Sequence, residues 1–433
     1  MALQLRTLAT FAAPSDIPAR APMPDDAAGY VDFTANLHMT AAAAEVSNAS
    51  ALVFSRDNTP RSGLYYGREG LAAGAHTTWD RIEYDAAGNP LGLLVEQTWT
   101  QIVTDAMRTN LALGTAVGAA VAASGMAEQP WAQWYAVTPS GAGEASLTLT
   151  TASVTANHYV YIHFDVRGEG VVQVGLNDAG ITGFANFDLT AGEVYRSDTS
   201  TGASMIRRPG GGWTVMVRLR WGGAAGVSHP YVASVASLTT GLRGASGRAF
   251  DLRAPRVAAN ASGGLPERSA FELFKRESDL IFPVAGLMDL AGDFTCAFRA
   301  RSGFFNDRSG ASLFLLRNGT TSGTEIRFNA TNTLIARQTS GNLIVAENPS
   351  IRWTPETIYR VGVSRRGSQI AVMVNDLHIG FDTGAAVADA TPELFGSWDT
   401  SGSNSWSGHL QKCIWWSQGR APADLAALVD RWL

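Results

Sequence analysis

Cysteine and lysine are almost missing from this chain. Its 433 residues include two cysteines, Cys296 and Cys413, and two lysines, Lys275 and Lys412. Two thiols cannot build a disulfide framework or a multi-cysteine zinc site. Both fall in expected strands at opposite ends of the last domain. A bridge between terminal strands is conceivable there, and two buried small apolar side chains are the simpler reading. The basic charge is nearly all arginine, which fits a base-composition bias of the genome better than a phosphate-binding device. Charged residues make up only 16% and the net charge is −5, so no broad nucleic-acid surface is expected. No apolar run reaches the roughly 18 residues of a membrane span, and none is expected to insert. Residues 1–13 faintly resemble a signal peptide, but Arg6 interrupts the apolar run instead of preceding it, so no signal peptide is expected. Also missing are a Gly-x-Ser-x-Gly elbow, His-Glu-x-x-His, a P-loop and a dinucleotide fingerprint.

What is present is β-sheet chemistry. The chain is 45% hydrophobic with 45 glycines, a composition suited to all-β domains with frequent turns. Its length allows two or three cores. The clearest passage is Tyr359 to Phe381. Tyr-Arg-Val-Gly-Val-Ser, a polar turn, Ile-Ala-Val-Met-Val, Asn-Asp and Leu-His-Ile-Gly-Phe make an antiparallel meander.

Taken in order, residues 1–30 carry Pro14, Pro18, Pro22 and Pro24 and read as an extended arm, with Leu3, Leu5, Leu8 and Phe11 as anchors on a partner. Residues 31–111 hold short strands and read as an N-terminal attachment module. Residues 112–262 read as a jelly-roll β-sandwich. Its best strand, Tyr159 to Val166, splits cleanly by alternation: Val160, Ile162, Phe164 and Val166 face one side, and Tyr159, Tyr161, His163 and Asp165 the other. Trp213, Val215, Val217, Leu219 and Trp221 share another such face, with Met216, Arg218 and Arg220 opposite. Paired glycines and Pro266 mark a hinge, and residues 269–433 read as a second sandwich. Leu425, Leu428, Val429 and Trp432 recur at helical spacing after Pro422, giving a short C-terminal helix.

Three passages resemble a known family. Phe54-Ser55-Arg56-Asp57, Arg81-Ile82-Glu83-Tyr84-Asp85, Leu91-Gly92-Leu93-Leu94-Val95-Glu96 and Arg108-Thr109-Asn110-Leu111 resemble the amino-terminal module of phage fibre and spike proteins. Here residues 97–107 interrupt a join that is usually tight. Phe187-Asp188-Leu189-Thr190-Ala191-Gly192 and Gly211-Gly212-Trp213-Thr214-Val215-Met216-Val217 resemble the carbohydrate-binding jelly roll that follows it. Met373-Val374-Asn375-Asp376, Trp406-Ser407-Gly408-His409-Leu410 and Arg420-Ala421-Pro422-Ala423-Asp424-Leu425 resemble a concanavalin-A-like lectin domain. The resemblance implies a surface fibre or spike of a phage or gene transfer agent that binds host cell-surface polysaccharide. It leaves tail or head open.

Sugar binding needs an aromatic face and groups that read hydroxyls. Tyr159, Tyr161, His163 and Asp165, with Arg218 and Arg220, offer that set, or else cover a wet sheet face or meet another subunit. Two loops offer another set: Asn306, Asp307 and Arg308 after Phe304-Phe305, and Trp398, Asp399 and Asn404. Trp213, Trp415 and Trp416 are assigned to core packing, and His378 to a strand edge. By ligand type calcium could sit among Asp307, Asp399 and Asn404, but no spacing supports it, so no cofactor is expected. Carboxylate pairs such as Asp165 with Asp178, or Asp307 with Asp399, can be named, as in any chain with 38 acidic residues. A non-catalytic adhesin is expected, docked by its arm to other virion proteins and assembled as a homo-oligomer, a trimer being favoured. A polysaccharide depolymerase and a purely structural spike or baseplate component are the rivals.

Overall fold

The structure is a computed structural model. It describes residues 23–24, 26–40, 52–55, 63–74, 81–95, 99–100, 102–103, 106–107, 110–125, 133–178, 181–196, 202–222, 224–260, 275–276, 280–284, 287, 292–302, 312–318, 322–328, 333–338, 344–352, 354, 356–382, 391–395, 406 and 408–433. The chain is all-β, two sandwiches and one C-terminal helix, as the strand-rich, glycine-punctuated sequence requires.

The sandwiches do not follow one another along the chain. In the last one, strand Gly408–Trp416 pairs with Phe294–Ser302 on one side and with Gly29–Asp32 and Pro90–Val95 on the other. Gly29–Asp32 carries Leu37–Thr40, and Pro90–Val95 carries Ile82–Tyr84. Ile358–Arg366, Gln369–Val374 and Leu377–Asp382 complete this sheet beyond Phe294–Ser302. The facing sheet runs in the order Ile344–Arg352, Thr333–Gln338, Ser322–Phe328, Ser312–Asn318, Thr391–Leu394, Leu280–Pro283, Leu52–Ser55. The expected separate module at residues 31–111 is therefore corrected. Apart from the hairpin Gly63–Gly67/Gly70–Gly74, the strands of residues 29–95 are part of the last sandwich, because short strands cannot bury a core of their own. The end of the expected arm also belongs there, with Ala27 and Tyr30 buried against Ile414 and Trp416. Leu3, Leu5, Leu8 and Phe11 lie outside the described residues.

Gly408–Trp416 is buried along its whole length. Its register against Phe294–Ser302 shifts between Arg299 and Ala300. The shift lets Leu410 share the inner core with Cys413 and Trp415, although strict alternation would put them on opposite faces. Ile414 and Trp416 fill the outer face. Gly29 is obligatory, since a Cβ there would lie 2.2 Å from Trp415 Cζ2. Cys296 and Cys413 are free, buried thiols whose sulfurs stand 3.7 Å apart. Burial pushes the Cys413 thiol well up. The helix Pro422–Trp432 lays Leu425 and Val429 over Gly362, Ala371 and Met373. Trp415 and Trp416 are core residues, as expected.

The jelly roll is an insertion into this sandwich. Trp99–Thr100, on the way out, pairs antiparallel with Lys275–Arg276, on the way back. Between them stand two six-stranded sheets. Val160, Ile162, Phe164, Val166, Val215, Val217, Leu219 and Trp221 all enter the shared core, as the alternation requires.

The fragment 269–433, which the sequence marks as a domain, lacks five strands of its sandwich. It is expected to stay unfolded where the full chain melts cooperatively, as judged by circular dichroism and amide dispersion. A well-dispersed, cooperatively melting 269–433 would show that the strands of residues 29–95 are dispensable.

Candidate functional site

The aromatic face of the jelly roll is closed. Tyr161, His163 and Asp165 are fully buried. Tyr66, on the hairpin at residues 63–74, reaches Asp165. Tyr66 donates its hydroxyl to Asp165 Oδ1, 99 residues further on. Thr214 Oγ1 and Arg256 Nη2 donate to the same oxygen at 2.9 and 2.7 Å, and Arg253 Nε stands 3.4 Å from Oδ2. Arg208 lies 4.3 Å over the Tyr66 ring and donates to Thr214 at 2.8 Å. Burial alone would raise the Asp165 carboxyl, but Arg256 and Arg253, with the Tyr66 hydrogen bond, hold it down at about 2. Burial, together with Arg256 and Arg208, pushes His163 well below the ordinary imidazole range, so it is neutral. Side chains sealed in this way cannot meet a sugar from solvent, so the expected platform is corrected. Alternation gives which side of a strand leaves the core, but not what another part of the chain lays over it. Tyr159, Arg218 and Arg220 do come together at the open end of these strands, with Arg218 stacked 5.3 Å over the Tyr159 ring.

The same Tyr66 reaches the other sandwich through its backbone. Its N–H donates to Glu83 Oε1 at 2.7 Å, and Glu83 Oε2 meets His409 Nε2 at 2.8 Å. The segment 238–243 lies over part of the opposite jelly-roll sheet. Gln173 and Asn186 donate to the carbonyls of Leu238, Thr240 and Gly241, and Arg243 stacks 4.2 Å over Tyr231. Asp178 is engaged by His229 at 2.6 Å, in the sheet opposite Asp165. Asn306, Asp307, Arg308, Trp398, Asp399 and Asn404 lie outside the described residues, and the expected calcium ligands with them.

An open cavity of about 260 Å³ lies on the outer face of the last sandwich. The meander at residues 358–382 builds it. Its register sets Ser364, Ala371 and Gly380 side by side, and Arg366, Gln369 and Asp382 in the next row. The small residues make a trench floor. Arg366, Gln369 and Asp382 form one wall; His378, Arg420 and Pro422 at the start of the helix close the other. Asn375, at φ 53°, and Gly367, at φ 59°, turn the chain tightly enough to hold this register. Ser364 is locked below, donating to Arg420 O at 2.9 Å and accepting from Arg420 N at 2.6 Å. The arrangement offers guanidinium, amide, imidazole and carboxylate groups around a flat floor, a set that reads hydroxyls. Sequence reasoning left Arg366 and Gln369 in a polar turn and did not single out Asp382. It placed His378 on a strand edge, where it is. The signal it passed over was one small residue at the matching position of three successive strands.

No family model matches the sequence, and a search of curated proteins finds no match. Among solved structures, the chain is similar to the CBM40 domain of Ruminococcus gnavus IT-sialidase, bound to α2,3-sialyllactose. The identity is 11% and the TM-score 0.27, over 32% of this chain and 83% of that one. It is also similar to chicken galectin 2, at 7% identity and TM-score 0.23, over 28% of this chain and 88% of that one. A heptameric SAP-like pentraxin from Limulus polyphemus matches at 15% identity and TM-score 0.25, over 32% of this chain and 70% of that one.

Asp165→Asn removes the one charge that Arg253 and Arg256 share, and is expected to cost about 3–5 kcal/mol at pH 7. Because the folded carboxyl lies below its unfolded value, its contribution is present above about pH 4 and is lost as pH falls toward 2, about 2 kcal/mol in all. Denaturant midpoints at pH 7 and pH 3 test both statements. A variant as stable as the parent at pH 7 would show that the cluster does not hold the interface.

Proposed function

We propose that this chain is a surface fibre or spike protein of a phage or gene transfer agent, and that it binds host cell-surface polysaccharide without chemically altering it. The observation that carries the reading is the trench over Ser364, Ala371 and Gly380. It is an open cavity lined by hydroxyl-reading side chains, whereas Tyr161, His163 and Asp165 of the jelly roll are buried. Its volume falls just short of the roughly 300–1,000 Å³ of drug-sized sites, which suits one sugar ring at the end or branch of a polymer. The order of the three passages that resemble fibre and spike modules supports a place on the particle. The arm at residues 1–22 would dock to other virion proteins, and several copies, most simply three, would add weak contacts into useful adhesion.

The test is binding of the purified protein to host cells with and without their surface polysaccharide, with an assay for freed reducing ends and unsaturated sugars on the same samples. Binding that disappears with the polysaccharide, with no sugar released, is expected. Gly380→Leu, which fills the trench floor, should weaken binding by roughly tenfold or more while leaving the melting curve in place. Released sugar would make the protein a depolymerase, and neither binding nor release would leave a structural part of the particle.

A further inference from the structure

Resting on that reading, we propose that the trench takes an acidic sugar, one carrying a carboxylate, with the carboxylate at the Arg366 end. Arg366 is exposed and makes no side-chain hydrogen bond or ion pair among the described residues. Four other arginines of the same sandwich face a carboxylate: Arg301 with Glu356, Arg337 with Glu325, Arg360 with Asp376, Arg420 with Asp26. Arg366 therefore lines the cavity with its charge uncommitted and its planar fork free for a bidentate contact. Gln369 and His378 likewise have no side-chain partner there.

The row is also polarised. Arg366 is paired in register with Gln369 and Gln369 with Asp382, so cation and anion stand two strand spacings apart, about 10 Å. A sugar ring bridging that distance would put an anionic substituent against Arg366, a hydroxyl or ring oxygen beside the Gln369 amide, and donor hydroxyls toward Asp382. Turned end for end, it would set like charges together. The helix that starts at Pro422 adds to the preference. It is 11 residues long, its first turn has no side-chain cap, and its first residue, Pro422, lines the trench beside Arg420. Asp424 in that first turn offsets part of this field. The uncommitted Arg366 lining the cavity carries the proposal; the row and the helix only reinforce it.

The probe is the host polysaccharide, native and after chemical reduction of its carboxylates to alcohols, bound to the full chain and to Arg366→Ala and Arg366→Lys. Native polymer is expected to bind roughly tenfold to a hundredfold tighter than the reduced form, with the advantage shrinking as salt rises. Arg366→Ala should bring both polymers to the same weak affinity. Arg366→Lys should restore part of the preference, because it keeps the charge but not the fork. Equal binding of native and reduced polymer by the parent chain would overturn the acidic-sugar assignment and leave the binding function standing. Binding of neither would remove the function itself, and a preference that survives Arg366→Ala would place the carboxylate elsewhere.

Discussion

The structure depends on the pairing of the last described strand with the first. Gly408–Trp416 has no free edge along its described length: Gly29–Asp32 and Pro90–Val95 take one side and Phe294–Ser302 the other. Its side chains fill both the inner core and the layer outside it. Trp415 and Trp416 are among the largest buried side chains, each a substitution of the kind that costs about 3–5 kcal/mol when cut back to alanine. Nearly the whole chain must therefore be made before this sandwich can close. Contacts of such long sequence separation carry a loop-closure cost that is met before they return any burial. The insertion softens that cost. The jelly roll has its own core, and once it folds it brings Trp99–Thr100 and Lys275–Arg276 side by side. The distance that the outer sandwich must close then shrinks from the length of the insert to the width of a two-stranded ribbon.

Two sandwiches joined by a ribbon would swing unless something fixed them. Tyr66 does, with its backbone held by Glu83 and His409 and its hydroxyl by Asp165. The contact is polar at both ends and sealed from water. That makes it a poor source of net stability and a strict condition on geometry, because each buried charge is tolerated only while its partners are in place. A greasy interface of the same area could slide; one built on Asp165 with two arginines, a threonine and a tyrosine has few alternatives of comparable energy.

Local chemistry in the sequence was enough for much of this. Alternation at residues 160–166 and 213–221 picked out the jelly-roll core residues. The Asn375-Asp376 turn gave the meander, and Pro422 with Leu425 and Val429 gave the helix. What it could not give was pairing between remote strands. The residues that look like an N-terminal module are edge material for a sheet assembled some 300 residues later. The attractive face at Tyr161, His163 and Asp165 failed for the same reason, since nothing near it in sequence announces Tyr66. The trench was more accessible. Once the meander and its turns are assigned, register follows, and register alone sets Ser364, Ala371 and Gly380 in one row with Arg366, Gln369 and Asp382 in the next.

A trench of this size also bears on how such a protein would work. One sugar ring has about twelve non-hydrogen atoms, and at about 0.3 kcal/mol each it would yield about 4 kcal/mol, a Kd near the millimolar range. A single site of that strength cannot hold a particle to a cell. Several sites can, provided that they are presented in a fixed relation, because effective concentration collapses when the geometry forbids simultaneous engagement. Under the proposed function, the Tyr66 contact would have a purpose that stability does not give it. If the arm fixes the chain to the particle and the jelly roll to its neighbours, a sealed ionic joint carries that orientation through to the sandwich that bears the trench. Weak recognition at one end and a strict joint in the middle are then parts of a single design.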